Sequence, residues 1–138
     1  MSFDDIYSDF IMHHYRNSVH RGIDKESNLV EKGSNLSCGD EITLFIRMKD
    51  EKITSLSYDG HGCAISQASA SVMADLLEGK TLKEARKTLA NFSKMLRGET
   101  FDENLLGDAS LFERLREYPM RVKCVSLAWK TAERALKK

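Results

Sequence analysis

Apolar side chains recur at every second position from Ile42 to Met48, in a segment that begins two residues after the tripeptide Cys38-Gly39-Asp40. An alternation of this kind predicts a β-strand with one buried face. In an extended chain, residues two apart point to the same side, so a strand that begins early enough directs Cys38 and Asp40 to one point. Gly39 leaves the backbone between them free to tighten this approach. A sulfur and an oxygen that converge in this way make half of a metal site.

Two further segments predict strands that pair with this one. Residues 29–32 are a candidate short strand, and residues 53–58 follow a charged turn at 49–52. Consecutive strands joined by short connections usually pair as antiparallel neighbours. The expected fold class is α+β, with a three-stranded antiparallel sheet and helices packed on one of its faces. Residues 33–35 are then expected to be a loop, and residues 59–63 to lie beyond the end of the sheet.

Helical periodicity and helix-end signals predict the remaining structure. The expected helices run over about residues 3–16, over 64–77, from the capping box at Thr81 to Gly98, over about 110–118, and from Pro119 to the C-terminus. Residues 97–109 are expected to form an irregular excursion. Nothing in the sequence indicates a linker or a repeat, so a single domain is expected over 1–138.

The composition excludes several classes of protein. Lys and Arg number 21, and Asp and Glu also number 21, whereas nucleic-acid-binding proteins normally carry a basic excess. No apolar run approaches the roughly 20 residues that span a bilayer, and the first ten residues lack the pattern of a signal peptide. We therefore expect a cytoplasmic protein without nucleic-acid or membrane partners. In that compartment, the three cysteines are more typical of reactive or metal-binding chemistry than of disulfides.

The other two cysteines are both predicted at the start of a helix. Cys63 follows Gly60-His61-Gly62 and precedes the second helix, and Cys124 falls in the first turn of the last helix. The free N–H groups and the dipole at such a position favour a thiolate over a thiol. Taken alone, Cys63 is equally well explained as a small buried side chain, because free cysteine is among the most buried residue types.

Three thiols and one carboxylate are the right number of ligands for a four-coordinate site. Zinc binds Cys sulfur at about 2.3 Å and Asp oxygen at about 2.0–2.2 Å. Structural zinc sites often use paired Cys-x-x-Cys units, which this sequence lacks, so the spacing alone is weak evidence. An aspartate is a weaker ligand than a thiolate, so a site of this composition can open and free a cysteine to react.

Three motifs, in this order, resemble the U-type iron–sulfur cluster assembly proteins, the family of IscU, SufU and the N-terminal domain of NifU. The motifs are Ser37-Cys38-Gly39-Asp40, Gly60-His61-Gly62-Cys63 with Ala64–Ser71, and Arg121-Val122-Lys123-Cys124 with Leu127-Ala128-Trp129. The resemblance covers essentially the whole chain. It implies the α+β fold expected above, with the cysteines and the aspartate gathered at one end. It also implies that this end receives sulfur from a cysteine desulfurase and holds zinc or a nascent cluster.

Within this family the chain is most similar to the SufU branch. IscU-type scaffolds have a histidine directly before the third cysteine, where this chain has Lys123, and residues 97–118 are similar to the SufU insertion. The resemblance implies that Cys38, Asp40, Cys63 and Cys124 hold zinc. It further implies a ligand exchange, in which a histidine of a SufS- or IscS-like desulfurase replaces Cys38 on the metal. The freed Cys38 then accepts sulfur from the persulfide of the desulfurase.

Several assignments stay open from the sequence. Two cations, Arg121 and Lys123, are candidates for stabilising a persulfide or for docking an acidic partner, and the alternative is that they are simply solvated. His61 is interpreted as a loop residue. One function is a zinc-dependent sulfurtransferase that works with a desulfurase and supplies cluster biogenesis. A second is a scaffold on which iron and sulfide form a [2Fe–2S] cluster for transfer to apo-proteins. A third is a structural zinc domain that binds a partner, so whether the chain is an enzyme is left open.

Overall fold

The computed structural model describes residues 3–137, without the side chains of Phe3, Asp4 and Ile6. Met1, Ser2 and Lys138, which belong to the predicted single domain, lie outside this description. Three strands form one sheet in the order β1-β2-β3, and both neighbouring pairs are antiparallel. The strands are β1 (Leu29–Asn35), β2 (Asp40–Lys49) and β3 (Lys52–His61). The predicted three-stranded antiparallel sheet is therefore confirmed.

All three strands are longer than predicted. The predicted loop at 33–35 belongs to β1, where Gly33 pairs with Ile42. Position 33 requires glycine because of close packing, since a Cβ there would collide with the side chain of Thr131. The predicted sheet end after Tyr58 is also wrong, since β3 continues to His61. Gly60 has φ near 145° and lies directly against the carbonyl of Glu41, a conformation that only glycine adopts readily.

Alternation along β2 buries one face of the sheet, as predicted. Ile42, Leu44 and Ile46 are buried, while the residues between them are more exposed. The helices are α1 (Phe3–Asn17), α2 (Ala64–Leu77), α3 (Leu82–Leu96), α4 (Glu103–Leu106) and α5 (Pro119–Leu136). Helices α2 and α5 pack on this face of the sheet, α1 packs on α2, α3 packs on α5, and α4 packs on α3. Every described helix is too short or too polar to traverse a bilayer.

The segment after α3 is more regular than predicted. The expected irregular excursion contains α4, and a 3₁₀ helix over Gly107–Glu117 replaces the short helix expected from residue 110. The Asn91 side chain fastens this segment to α3, because it donates to the Asp102 carbonyl and accepts from the Asp102 N–H. Buried Phe112 then packs near Phe92 and Phe10. Long-range packing of this kind leaves no periodic signal in the sequence.

Helices α2 and α5 are locked together by polar contacts within the core. The Trp129 indole N–H donates to Ser69 Oγ at 2.8 Å, and that hydroxyl donates to the Val125 carbonyl at 2.6 Å. The Trp129 ring also stacks on Phe92, with 3.7 Å between ring centroids. The small side chains of α2 permit this close approach. It fixes the position of Cys63, at the start of α2, relative to Cys124 on α5.

Candidate metal centre

Three side chains that suit a metal ion meet at one end of the sheet. Cys38 lies in the turn between β1 and β2, Asp40 is the first residue of β2, and Cys124 lies on α5. The two sulfur atoms and a carboxylate oxygen of Asp40 all lie within 4.8 Å of one another. The Sγ atoms of Cys38 and Cys124 are 3.3 Å apart. Residues far apart in sequence thus form a compact donor set.

The turn at 36–39 brings Cys38 towards Asp40 in a way that the sequence reasoning did not foresee. Convergence through strand alternation was expected if the strand began early enough, but β2 begins only at Asp40, and the Cys38 N–H donates to the Asn35 carbonyl at 3.2 Å, which closes a turn. Gly39 has φ of 69°, in the left-handed region that glycine adopts without strain. Cys38 and Asp40 do converge, as expected, but the turn between β1 and β2 brings them together and the alternation of a strand does not.

The carboxylate of Asp40 is the most informative group in the site. Its side chain is only 1% exposed. Oδ1 accepts a hydrogen bond from the Cys63 N–H at 3.0 Å, whereas Oδ2 is buried without a hydrogen-bond partner in the described part of the chain. A buried carboxylate oxygen without a partner is costly, and a bound cation removes that cost. Two sulfurs and an unpaired carboxylate oxygen are a donor set that fits zinc.

Cys63 lies at the edge of this donor set. It is the N-cap of α2, as predicted, and its Sγ accepts from the Ser66 N–H at 3.4 Å. Its side chain is exposed, and its sulfur is outside the group that meets within 4.8 Å. The Cys63 N–H nevertheless orients Asp40. Cys63 therefore already supports the site through its backbone, and its role as a fourth ligand stays a prediction.

Cys124 is a buried thiol whose environment opposes ionisation. Burial raises its pKa far above the usual value, and the hydrogen bond with Cys38 and the nearby Cys63 and Asp40 raise it further. The prediction that it lies in the first turn of its helix is wrong, because α5 already begins at Pro119 and Cys124 is in the second turn. The helix dipole acts mainly on the first turn. These surroundings therefore favour the thiol form of Cys124 in the metal-free chain.

The remaining candidate residues lie on the rim. Arg121 and Lys123 are exposed on the first turns of α5. Their roles in stabilising a persulfide or docking a partner stay predictions. His61 is exposed at the end of β3, where its Nε2 lies 3.2 Å from Glu41 Oε2. Sequence reasoning missed Leu36, whose side chain is 93% exposed at the tip of the turn that carries Cys38. A lone leucine in a loop gives no signal of exposure.

Gly62 lies directly against the aspartate, which leads to a testable prediction. A Cβ at this position would be 2.5 Å from both Asp40 Oδ1 and Ser66 Oγ. Gly62→Ala is therefore expected to displace the carboxylate and to weaken zinc binding about 10- to 100-fold, the range seen when groups that orient ligands are altered. Competition with a zinc-binding dye measures this effect.

Gly79→Ala is the matched control for this prediction. Gly79 has φ of 91°, so a side chain there strains the backbone, but it has no neighbouring atom within 4 Å and lies in the turn after α2. We expect lower stability and unchanged zinc affinity for this variant. Equal zinc affinities for Gly62→Ala and the unaltered chain would contradict the role given to Gly62.

The fold and the site define a small α+β domain that gathers thiols and a carboxylate at one end of a three-stranded sheet. A family model described as the NifU-like N terminal domain matches residues 6–138. The chain belongs to this family, which confirms the resemblance seen in its three motifs.

Similar proteins cover almost the whole chain. The iron–sulfur cluster assembly scaffold protein IscU of Thermotoga maritima is 41% identical, over 100% of this chain and 97% of its own length. The zinc-dependent sulfurtransferase SufU of Bacillus subtilis is 34% identical, over 98% of this chain and 92% of its own length. A crystal structure of a putative scaffold protein for the SUF system from Fervidobacterium islandicum has a TM-score of 0.91 and 46% identity, and covers 98% of this chain and 99% of that one.

These similarities establish a role in iron–sulfur cluster assembly at the level of the family. The relatives carry both kinds of name, scaffold protein and zinc-dependent sulfurtransferase.

Proposed function

We propose that this chain is a zinc-bound sulfur acceptor, which takes sulfur from the persulfide of a cysteine desulfurase and passes it on for cluster biogenesis. Cys38, Asp40, Cys63 and Cys124 would hold the zinc. The observation that carries the proposal is the buried Asp40 oxygen without a hydrogen-bond partner, beside two thiols whose sulfurs are 3.3 Å apart. A bound zinc ion would supply charge compensation and keep the cysteines as thiolates.

Cys38 is the best placed of the three cysteines to accept sulfur. Cys124 is buried on a helix, and Cys63 is held as a helix cap by the Ser66 N–H. Cys38 is partly exposed in a turn next to a glycine, so it can move without unfolding an element. The space around Gly39 is open, and Leu36 is exposed in the same turn, so a partner can approach Cys38 from this side.

The transfer itself is a thiol–disulfide-type exchange. The Cys38 thiolate attacks the terminal sulfur of the partner's persulfide, so that a new sulfur–sulfur bond forms on Cys38. The sulfur–sulfur bond on the partner breaks, and the partner cysteine leaves as a thiolate. Sulfur moves at its existing oxidation level, so the step needs no external oxidant or reductant.

Arg121 and Lys123 support this proposal as exposed cations that lie within one helical turn of Cys124. They are exposed on the first turns of α5, next to the exposed side chains of Tyr118 and Met120. Cations at such a place favour the approach of an acidic partner surface and stabilise a persulfide anion. Charges on a rim of this kind act mainly on the rate of association.

The proposal is tested by the metal content of the purified, untagged chain and by its reaction with a desulfurase. We expect about one tightly bound zinc per chain, as for a four-coordinate site. After incubation with a desulfurase and cysteine, mass spectrometry should locate one added sulfur on the peptide that contains Cys38. Zinc-free chain that accepts sulfur equally well would contradict the proposal.

The second candidate function is a scaffold for a [2Fe–2S] cluster on the same residues. The scaffold names of several relatives favour it, including the 41% identical protein of Thermotoga maritima. Anaerobic reconstitution with iron and sulfide distinguishes the two functions. Labile iron with an equal amount of sulfide, transferable to an apo-protein, would favour the scaffold, whereas retained zinc would favour the sulfur acceptor.

A further inference from the structure

Helix α3 presents a row of cations to solvent on the side away from the core. Lys83, Lys87, Ala90, Lys94 and Arg97 are all exposed and follow one another at alternating spacings of four and three residues. This spacing keeps them on one stripe of a helix. The opposite side of α3 is buried through Ala85, Leu89 and Phe92. We call the exposed row the basic stripe.

Two grooves run along the basic stripe. One, of about 370 Å³, lies between α3 and α5 and includes Arg86 and Lys137. The other, of about 550 Å³, lies between α3 and the segment 100–105. Ala90 and Lys94 line both grooves. Ala90 is the one small residue of the stripe, so the side chains of α3 project least from the helix at this point. Exposed apolar surface in these grooves comes from Ala90 and from the partly exposed Phe101 and Leu105, whereas Leu89, which also lines the first groove, is buried.

The charges of the stripe are only partly compensated within the chain. Among the described residues, no carboxylate forms a salt bridge with Lys87 or Lys94, and Arg97 pairs with Glu99. Asp102 and Glu133 each line one of the two grooves. Glu84 is the one acidic residue of α3, and it caps the start of the helix. The chain as a whole is electrically neutral, with 21 basic and 21 acidic residues. The stripe is therefore a local concentration of charge and does not reflect a generally basic surface.

We propose that the basic stripe docks an acidic amphipathic helix of a second protein partner. The alternating spacing of four and three keeps the cations in one line along α3, so a second helix lying alongside can meet them with carboxylates of the same spacing. Ala90 lets the backbone of the docked helix approach closely, as helix pairs 8–10 Å apart require. The flanking lysines meet its acidic side chains, and the grooves accept its apolar ones. The apolar surface in the grooves favours such a helix over a nucleic-acid backbone, which offers phosphates alone.

The position of the stripe leaves the metal centre free. Lys137, at one end of the groove between α3 and α5, follows Cys124 by thirteen residues, which is about 20 Å along α5, and Glu133 in the same groove follows it by nine residues, about 14 Å. A helix docked within this groove therefore does not reach Cys124. A desulfurase at the metal centre and a second partner at α3 can bind at the same time; this consequence rests on the proposed function, whereas the docking surface does not.

The binding test uses a synthetic, labelled helical peptide with Glu and Leu at alternating spacings of four and three, and a scrambled peptide of the same composition. Fluorescence anisotropy should show that the helical peptide binds the full chain better than the scrambled one, and less well as salt increases. Lys87→Glu combined with Lys94→Glu is expected to weaken binding at least about tenfold. Lys25→Glu with Lys49→Glu, an equal charge change at exposed residues away from the grooves, should alter it less than about twofold.

Three results of this test would overturn the proposal. They are no binding of the helical peptide, equal binding of both peptides, and tighter binding of a single-stranded RNA of equal charge. The RNA result would indicate a nonspecific polyanion surface.

A second experiment separates this inference from the proposed function. The Lys87→Glu/Lys94→Glu chain should bind zinc and accept sulfur from the desulfurase as the unaltered chain does. In a bacterial strain whose cluster assembly depends on this chain, it should give at least about tenfold less active iron–sulfur enzyme, while the control pair restores activity. Normal enzyme activity with the altered stripe would overturn the docking role; loss of sulfur acceptance in the unaltered chain would overturn the proposed function alone.

Discussion

Cys38→Ala is expected to lose sulfur acceptance by at least about 100-fold while the chain still binds zinc. The reason is that the substitution removes the proposed nucleophile, and loss of a nucleophile is among the most damaging changes that a group-transfer site can undergo. Asp40, Cys63 and Cys124 remain, and three protein ligands with a water molecule are a common zinc arrangement. Radiolabelled sulfur transferred from cysteine through the desulfurase measures acceptance, and metal analysis of the same sample measures zinc.

Ser37→Ala is the matched control, because Ser37 is exposed in the same turn as Cys38. We expect it to accept sulfur at the normal rate. A Cys38→Ala chain that accepts sulfur normally would move the acceptor role to Cys63, which is the exposed cysteine.

Asp40→Ala is expected to weaken zinc binding by at least about 100-fold, more than the loss of a residue that only orients a ligand. The substitution removes the buried oxygen that has no hydrogen-bond partner and also the acceptor for the Cys63 N–H. Asp40→Asn separates these two roles, since an asparagine can still accept from Cys63 through its oxygen but is neutral and a poor zinc ligand. Competition with a chelator of known affinity measures both variants.

The two aspartate variants give opposite results under the two explanations. If Asp40 binds zinc, Asn should be nearly as damaging as Ala. If Asp40 only holds the start of α2, Asn should restore zinc affinity. Asp59→Ala, which removes an exposed carboxylate from β3, controls for the change in net charge and should leave zinc affinity unchanged.

The elements with a strong local signal were predictable from sequence. The alternation in β2, the capping box at Thr81 and the proline at the start of α5 each act within a few residues. The glycines were misleading, because Gly33 and Gly60 serve close packing and a strained strand position, whereas sequence reasoning took them as breaks. The 3₁₀ helix was also beyond reach, since Phe112 and Asn91 act across elements.

The sequence predicted the residues of the candidate site better than it predicted their geometry. Cys38, Asp40 and Cys124 meet as the motifs implied, whereas the sulfur of Cys63 lies outside this group and its role as a ligand stays a prediction. The turn at Gly39 and the second-turn position of Cys124 were not predicted. Motifs report which residues a family retains for chemistry. The burial that leaves Asp40 Oδ2 without a partner depends on how α2 and α5 pack, and no short stretch of sequence encodes that arrangement.

The wide separation of the clustered groups along the chain has a consequence for biosynthesis. Cys38 and Cys124 are 86 residues apart, and their sulfurs come together only after α5 has packed on the finished sheet. During translation the hairpin that carries Cys38 and Asp40 leaves the ribosome long before Cys124 does. Metal capture that needs all of these groups therefore cannot precede the synthesis and packing of α5. Zinc occupancy would thus mark chains in which α5 has folded onto the sheet, and nascent chains without α5 would remain without metal.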